Sequence, residues 1–409
     1  MKIVSVWARE ILDSRGNPTV EVEVATEAAL ASAAAPSGAS TGKHEAVELR
    51  DGGSRYGGKG VLRAVENVNT IIAPSITGME AAGQESIDRR MRELDGTRDK
   101  SNLGANAMVA TSMAVLRAAA ASDGRLLHEH LGGKVIPAAM FNVINGGKHA
   151  GNALAVQEFM IMPDAELFSE RLRMASEIYH TLGKQLVSSL GPAARNVGDE
   201  GGFAPQLDNT YKALDALSSA VEEAGYAGAC PFAMDAAASS FYDEKAGTYR
   251  IDGKELREPE LIDYYADLAK AYPLKSIEDP FYEESFQAFA ALRKELPRVQ
   301  IVGDDLVVTN VSRLKQAIEA QSISALLLKV NQIGTVSEAL EAVKLCRDSG
   351  LNVIVSHRSG ETEDCFIADF SVGISAGQIK TGAPARGERT AKYNQLLRLE
   401  ERMLATQQL

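Results

Sequence analysis

Residues 325–357, ALLLKVNQIGTVSEALEAVKLCRDSGLNVIVSH, decide the fold. An apolar run, Ala325 to Leu328, ends on Lys329. Thr335 and Glu338 then stand at the spacing of a helix N-terminal capping box. Leu340 and Val343 give that helix an apolar face, and Gly350 can close it. A second apolar run, Asn352 to Ser356, ends on His357. Strand, helix and strand in succession make a βαβ unit, because parallel strands need a crossover between them.

The same rhythm extends in both directions. Short apolar runs end on Asp235, Glu278, Asp304, Lys329, His357 and Lys380, at spacings of 43, 26, 25, 28 and 23 residues. Most of these are the length of one strand–helix unit. The pattern predicts an α/β fold with a parallel sheet, and so many units favour a closed TIM-like barrel over an open doubly wound sheet. In a parallel barrel every strand opens its C-terminal end on one face, where catalytic residues sit. The six run-end residues are therefore expected to converge.

Upstream the pattern changes to α+β. Val20, Val22 and Val24 alternate with Glu21 and Glu23, as in a half-buried strand, and the run Ile3 to Ile11 precedes them across a turn-rich segment. A loop of small residues, Pro36 to Gly42, leads into helical patterns around Leu62 to Ile72 and Ala105 to Ala121. Glycine-containing breaks between Asp123 and Lys134 mark a boundary. The expected domains are 1–125, a smaller α+β domain, and 133–409, the β/α barrel.

Composition narrows the function. The chain has 409 residues, with 45% hydrophobic and 24% charged, which suits a folded protein of more than one domain. Lys plus Arg is 43 and Asp plus Glu is 55, giving a net charge of −12. That balance argues against nucleic acid or an acidic membrane as the main partner. Cys230, Cys346 and Cys365 form no CxxC pair, so a reducing compartment is expected. The apolar stretch before Arg9 is too short for a signal peptide, and no run reaches the length of a membrane span. A cytoplasmic location is expected.

Asp235, Glu278 and Asp304 offer hard oxygen ligands at successive run ends, a set that suits Mg²⁺. Alone, each would read as a helix cap or turn residue; together they read as a site. Lys329 is expected to have its charged form disfavoured, which would prepare it as a general base. Glu200, in the turn Gly198-Asp199-Glu200-Gly201-Gly202, reads either as a general acid or as a solvated turn residue. Ser356, His357, Arg358 and Ser359 gather donors suited to a phosphate or carboxylate. Weaker signals are set aside: Gly53 to Gly60 lacks the Ser/Thr of a phosphate-binding loop, and His128 and His130 lack zinc-helix spacing.

Longer strings then carry a resemblance. They are AREILDSRGNPTVEVE (8–23), PSGASTG (36–42), QEFMI (157–161), GDEGGFAP (198–205), SIEDP (276–280), GDDLVVTN (303–310), LLKVNQIG (327–334), SHRSGETED (356–364) and QIKTGAPAR (378–386). The chain closely resembles the enolase family, over nearly its whole length. That resemblance implies the dehydration of 2-phosphoglycerate to phosphoenolpyruvate, in an eightfold barrel with irregular first strands behind a small α+β domain. It implies Lys329 as the base at C2 and Glu200 as the acid at the C3 hydroxyl. It implies Asp235, Glu278 and Asp304 as ligands of one Mg²⁺, with Ser40 reaching a second. His149, Gln157, Glu158, Ser356, His357, Arg358, Ser359 and Lys380 match substrate-side positions, and the family is usually a homodimer or larger. The chain departs from the family at Ser240, where relatives usually carry Glu, and at Ala236, and a C-terminal extension found in many relatives is expected to be absent. Two alternatives stand beside this reading: a superfamily member acting on another 2-hydroxy acid, and a non-catalytic or surface-binding relative.

Overall fold

The computed structural model describes residues 1–39 and 42–407. Ile3–Leu12 (β1), Pro18–Thr26 (β2) and Leu30–Ala34 (β3) form an antiparallel sheet. Val20, Val22 and Val24 point to its buried face and pack on the helix Ala105–Ser122, whose small alanines allow close approach. Each fully buried valine contributes roughly 1.5–3 kcal/mol. Leu62–Asn67 continues into a wider turn, Val68–Ile72, whose Asn69 side chain bonds the backbone of Ala8 on β1.

The barrel strands follow. They begin with Ala138–Asn145 (β4), Glu158–Ile161 (β5) and Phe232–Asp235 (β6). A small antiparallel sheet, Tyr242–Asp243 (β7), Thr248–Ile251 (β8) and Lys254–Leu256 (β9), interrupts the series. The barrel resumes with Leu274–Glu278 (β10), Gln300–Gly303 (β11), Ala325–Leu328 (β12), Asn352–Ser356 (β13) and Gln378–Lys380 (β14). It closes in the order β10-β11-β12-β13-β14-β4-β5-β6. Met140, Met160, Ala233, Val302, Ala325, Leu327 and Ile354 fill the interior, so the barrel is a packed core rather than a pore.

The helix after β12 forms as its sequence dictates. Thr335 Oγ1 accepts the backbone N–H of Glu338, the helix runs Val336–Asp348, and Gly350 follows in a left-handed conformation. Asp88, on the helix Gln84–Asp95, accepts the backbone N–H of Ser337 at 2.9 Å and fastens the first domain to the start of this helix.

The expected irregularity of the first strands is present: β5 runs antiparallel to both neighbours, β4 and β6, whereas the other neighbouring pairs are parallel. Its apolar run, Phe159 to Ile161, follows a polar residue, Glu158, instead of ending on one, and only the short 3₁₀ turn Gly147–His149 lies between it and β4. No helix among the described residues is long and apolar enough to cross a membrane.

Candidate active site

The run ends converge on one rim. Asp235 and Glu278 are register partners on β6 and β10, as are Ser356 and Lys380 on β13 and β14. Asp304 and Lys329 lie just beyond β11 and β12. Glu158 begins β5, and the reversal of that strand brings its first residue to the same rim. It pairs in register with Asn145 on one side and Asp235 on the other.

The charges there are buried and matched. Lys380 Nζ lies 2.9 Å from both oxygens of Glu278, and 3.2 Å from Asp235 and from Glu158. Burial pulls its pKa down, but Asp235, Glu158 and Glu278 outweigh this and hold the ammonium well above its usual range. Gln157 Nε2 donates to Asp235 at 3.3 Å. Lys329 Nζ stands 2.5 Å from Asp304 Oδ2, and Gln332 donates to Asp304 Oδ1 at 2.8 Å. The expected disfavouring of the Lys329 charge is therefore corrected. Burial does lower its pKa, but the surrounding carboxylates, Asp304 first and then Glu278, together more than offset that, and the net direction is upward.

Carboxylates still exceed these cations. Asp279 accepts the backbone N–H groups of Asp304 and Asp305 at 2.9 and 2.7 Å and shapes the turn after β11. Its left-handed backbone is unusual for a residue other than glycine. Asp279, Asp304 and Asp305 bring carboxylate oxygens close together, and on the other side a ring nitrogen of His149 gathers with oxygens of Glu158 and Glu200. Burial and then the Asp235 charge push Glu278 well up, and burial and then Asp304 push Asp305 up to about 8. Crowded, buried, hard oxygen donors of this kind fit a divalent cation.

Glu200 is buried rather than solvated. The turn that carries it lies against β4: a Cβ on Gly202 would stand 2.5 Å from Asn145 Oδ1, so only glycine fits there. Asn142 Nδ2 donates to Glu200 Oε2 at 2.9 Å, and His357 Nε2 lies 3.4 Å from the same oxygen. His149 Nδ1 lies 3.6 Å from an oxygen of Glu158 and 3.6 Å from one of Glu200. Burial and then the Glu200 charge raise Glu158 well above the carboxylate range. Burial holds the His357 imidazole down to about 4, so it is neutral at pH 7 and steadies Glu200 as a dipole rather than as a cation. A proton shared within this group is favoured on Glu158.

The group of donors expected to meet an anion sits beside it. Ser356, His357, Arg358 and Ser359 are all buried. Arg358 meets Glu45 in a two-pronged pair, Nη1 to Oε2 at 2.9 Å and Nη2 to Oε1 at 3.1 Å. Ser359 Oγ accepts from the backbone of Ala39 at 2.6 Å and from Arg15 at 3.3 Å, so Ala39 is held against this strand end. Ser40 lies outside the described residues.

Sequence reasoning missed several participants. Glu45, Asp279, Asn142 and Arg389 all touch the predicted residues, and Asp305 lies beside Asp304 with its backbone N–H on Asp279. Doubled acids in SIEDP and GDDL signalled Asp279 and Asp305. Arg389 gave no signal, being one polar residue in an ordinary helical pattern.

The comparisons with known proteins agree over both halves of the chain. The family model described as Enolase, N-terminal domain matches residues 3–131, and that described as Enolase, C-terminal TIM barrel domain matches residues 133–409. An enolase from Methanocaldococcus jannaschii is 59% identical over 407 residues, covering 98% of this chain and 96% of its own length. An enolase from Thermococcus gammatolerans is 57% identical over 409 residues, covering 98% and 95%. One from Pyrococcus furiosus is likewise 57% identical over 409 residues, covering 98% and 95%.

Proposed function

The chain belongs to the enolase family, and from that premise we propose how its buried rim divides the work of the family's reaction. The enzyme is a lyase, a phosphopyruvate hydratase, which reversibly removes water from 2-phosphoglycerate to give phosphoenolpyruvate. The chemical difficulty lies at C2, where the proton to be lost neighbours a carboxylate that already carries charge.

Lys329 takes that proton. It must first be neutral, so its pair with Asp304 has to loosen as substrate enters. Lys380 faces the ene-diolate charge that develops on the carboxylate, a fixed cation in a dry site. Glu200 delivers a proton to the departing C3 hydroxyl. His149, within reach of Glu158 and Glu200 alike, lets those two carboxyls share the proton that Glu158 favours. Arg358 and Ser359, with Ser356 and His357, grip the phosphate, while Gln157 and Glu158 border the reacting end.

Asp235, Glu278 and Asp304 would hold one Mg²⁺ and Ser40 would contribute to a second, the ions supplying Lewis-acid charge opposite the ene-diolate. The domain limits are 1–125 and 133–409. We place the enzyme in the cytoplasm as a homodimer or larger assembly; Val4, Trp7 and Leu12 expose apolar surface on β1 that an identical subunit could cover.

The observation that carries this reading is the meeting of Lys329, Lys380 and Glu200 with three strand-end carboxylates on one rim. Purified protein incubated with Mg²⁺ and 2-phosphoglycerate should form phosphoenolpyruvate. Failure to do so would favour a superfamily member acting on another 2-hydroxy acid.

A further inference from the structure

Arg389, on the helix Gly387–Gln407, is the largest fully buried side chain among the described residues. Its guanidinium donates in four directions. Nη1 reaches His357 Nδ1 at 2.6 Å and the Arg358 carbonyl at 2.8 Å, while Nη2 reaches the Ser359 carbonyl at 2.7 Å and the Asp199 carbonyl at 3.0 Å. One rigid plane thus ties the anion-binding strand end to the turn that carries Glu200. Gly382 makes room for it: a Cβ there would stand 2.8 Å from Arg389 Cδ and 2.8 Å from the Glu200 carbonyl.

Arginine has donors and no acceptor, so the contact with His357 has one direction. His357 Nδ1 must accept, which places the ring proton on Nε2, the nitrogen that faces Glu200 Oε2 at 3.4 Å. We propose that Arg389 is a positioning residue for the dehydration: it fixes His357 as the neutral Nε2–H tautomer aimed at Glu200 and sets the distance between the acid and the anion grip. This deepens the reading given above and rests on it for the role of Glu200. The charged groups around the ring are Glu200, Arg389 and Lys380, and burial with the two cations opposes a second ring proton.

The test reads the ring itself, independently of turnover. In wild-type protein carrying ring-¹⁵N histidine, the His357 signals, identified by their loss in His357→Asn, should show protonated Nε2 and bare Nδ1 from pH 5.5 to 8. Arg389→Met should abolish that single pattern and lower kcat by roughly tenfold to a hundredfold, with KM moving less. Arg389→Lys, which keeps one donor, should recover part of both. A wild-type ring protonated at Nδ1 overturns the proposal even if no variant folds. So does a folded Arg389→Met protein with an unchanged tautomer. Loss of wild-type turnover with the tautomer as stated would instead count against the assigned reaction.

Discussion

Lys329 and Asp304 form a single buried ion pair, Nζ to Oδ2 at 2.5 Å, so the proposed base and a proposed metal ligand are bound to each other. Replacing Lys329 by Ala removes the amine and leaves Asp304, still crowded by Asp279 and Asp305, with the amide of Gln332 donating to it. Phosphoenolpyruvate formation should fall by at least roughly 10²–10⁴, the usual contribution of a general base. Exchange of the C2 proton of 2-phosphoglycerate with deuterated water, followed by NMR, should stop with it. A variant with normal turnover would remove Lys329 from the mechanism.

Glu200→Gln separates the acid from the base. The amide has the shape of the carboxyl but cannot pass a proton to the leaving hydroxyl. Elimination should drop by roughly 10²–10⁴ while C2 exchange continues. Should exchange vanish together with elimination, Glu200 would be acting before the hydroxyl leaves.

Cation removal is expected to act on stability and on rate together. Chelation should abolish turnover and added Mg²⁺ should restore it. Saturation to ~100 times the dissociation constant stabilises the folded state by about 2.7 kcal/mol, because binding relieves crowded carboxylates only there. Scanning calorimetry would register the rise in Tm. Asp304→Asn should blunt both the rise and the metal-binding isotherm.

His357 gives stability a pH dependence. Its folded pKa is lowered to about 4 by burial, whereas an unfolded histidine titrates near ~6.5. As pH falls between these values the unfolded chain takes up the proton first, so stability is full above the window and declines within it. The loss approaches ~3 kcal/mol. Urea unfolding of wild type and His357→Asn at pH 7 and pH 5 should show a steeper fall for wild type; parallel slopes would contradict the burial argument.

Most of the rim was readable because barrel strands announce their ends. A buried run must stop where a polar side chain can face the site, and Asp235, Glu278, Asp304, Lys329, His357 and Lys380 all stop such runs. The direction of β5 was not readable from run ends, since its rim residue, Glu158, opens the apolar run instead of closing it, and hydrogen-bond partners set its sense. The charge state of Lys329 depended on a contact across space with Asp304, which no local pattern encodes. Arg389 stayed hidden for the same reason, because its significance lies in three distant backbone carbonyls and one imidazole.

The reversed strand has a consequence for the order of assembly. β4 and β5 are close in sequence and can zip as a local pair, bringing Glu158 beside Asn145 early. The seam between β14 and β4, where Gln378 meets Ala138 and Lys380 meets Met140, joins the far ends of the barrel and carries the greatest loop-closure cost. Lys380 rides on that seam. During refolding, turnover should therefore be the last signal to return, a reporter of ring closure rather than of chain collapse.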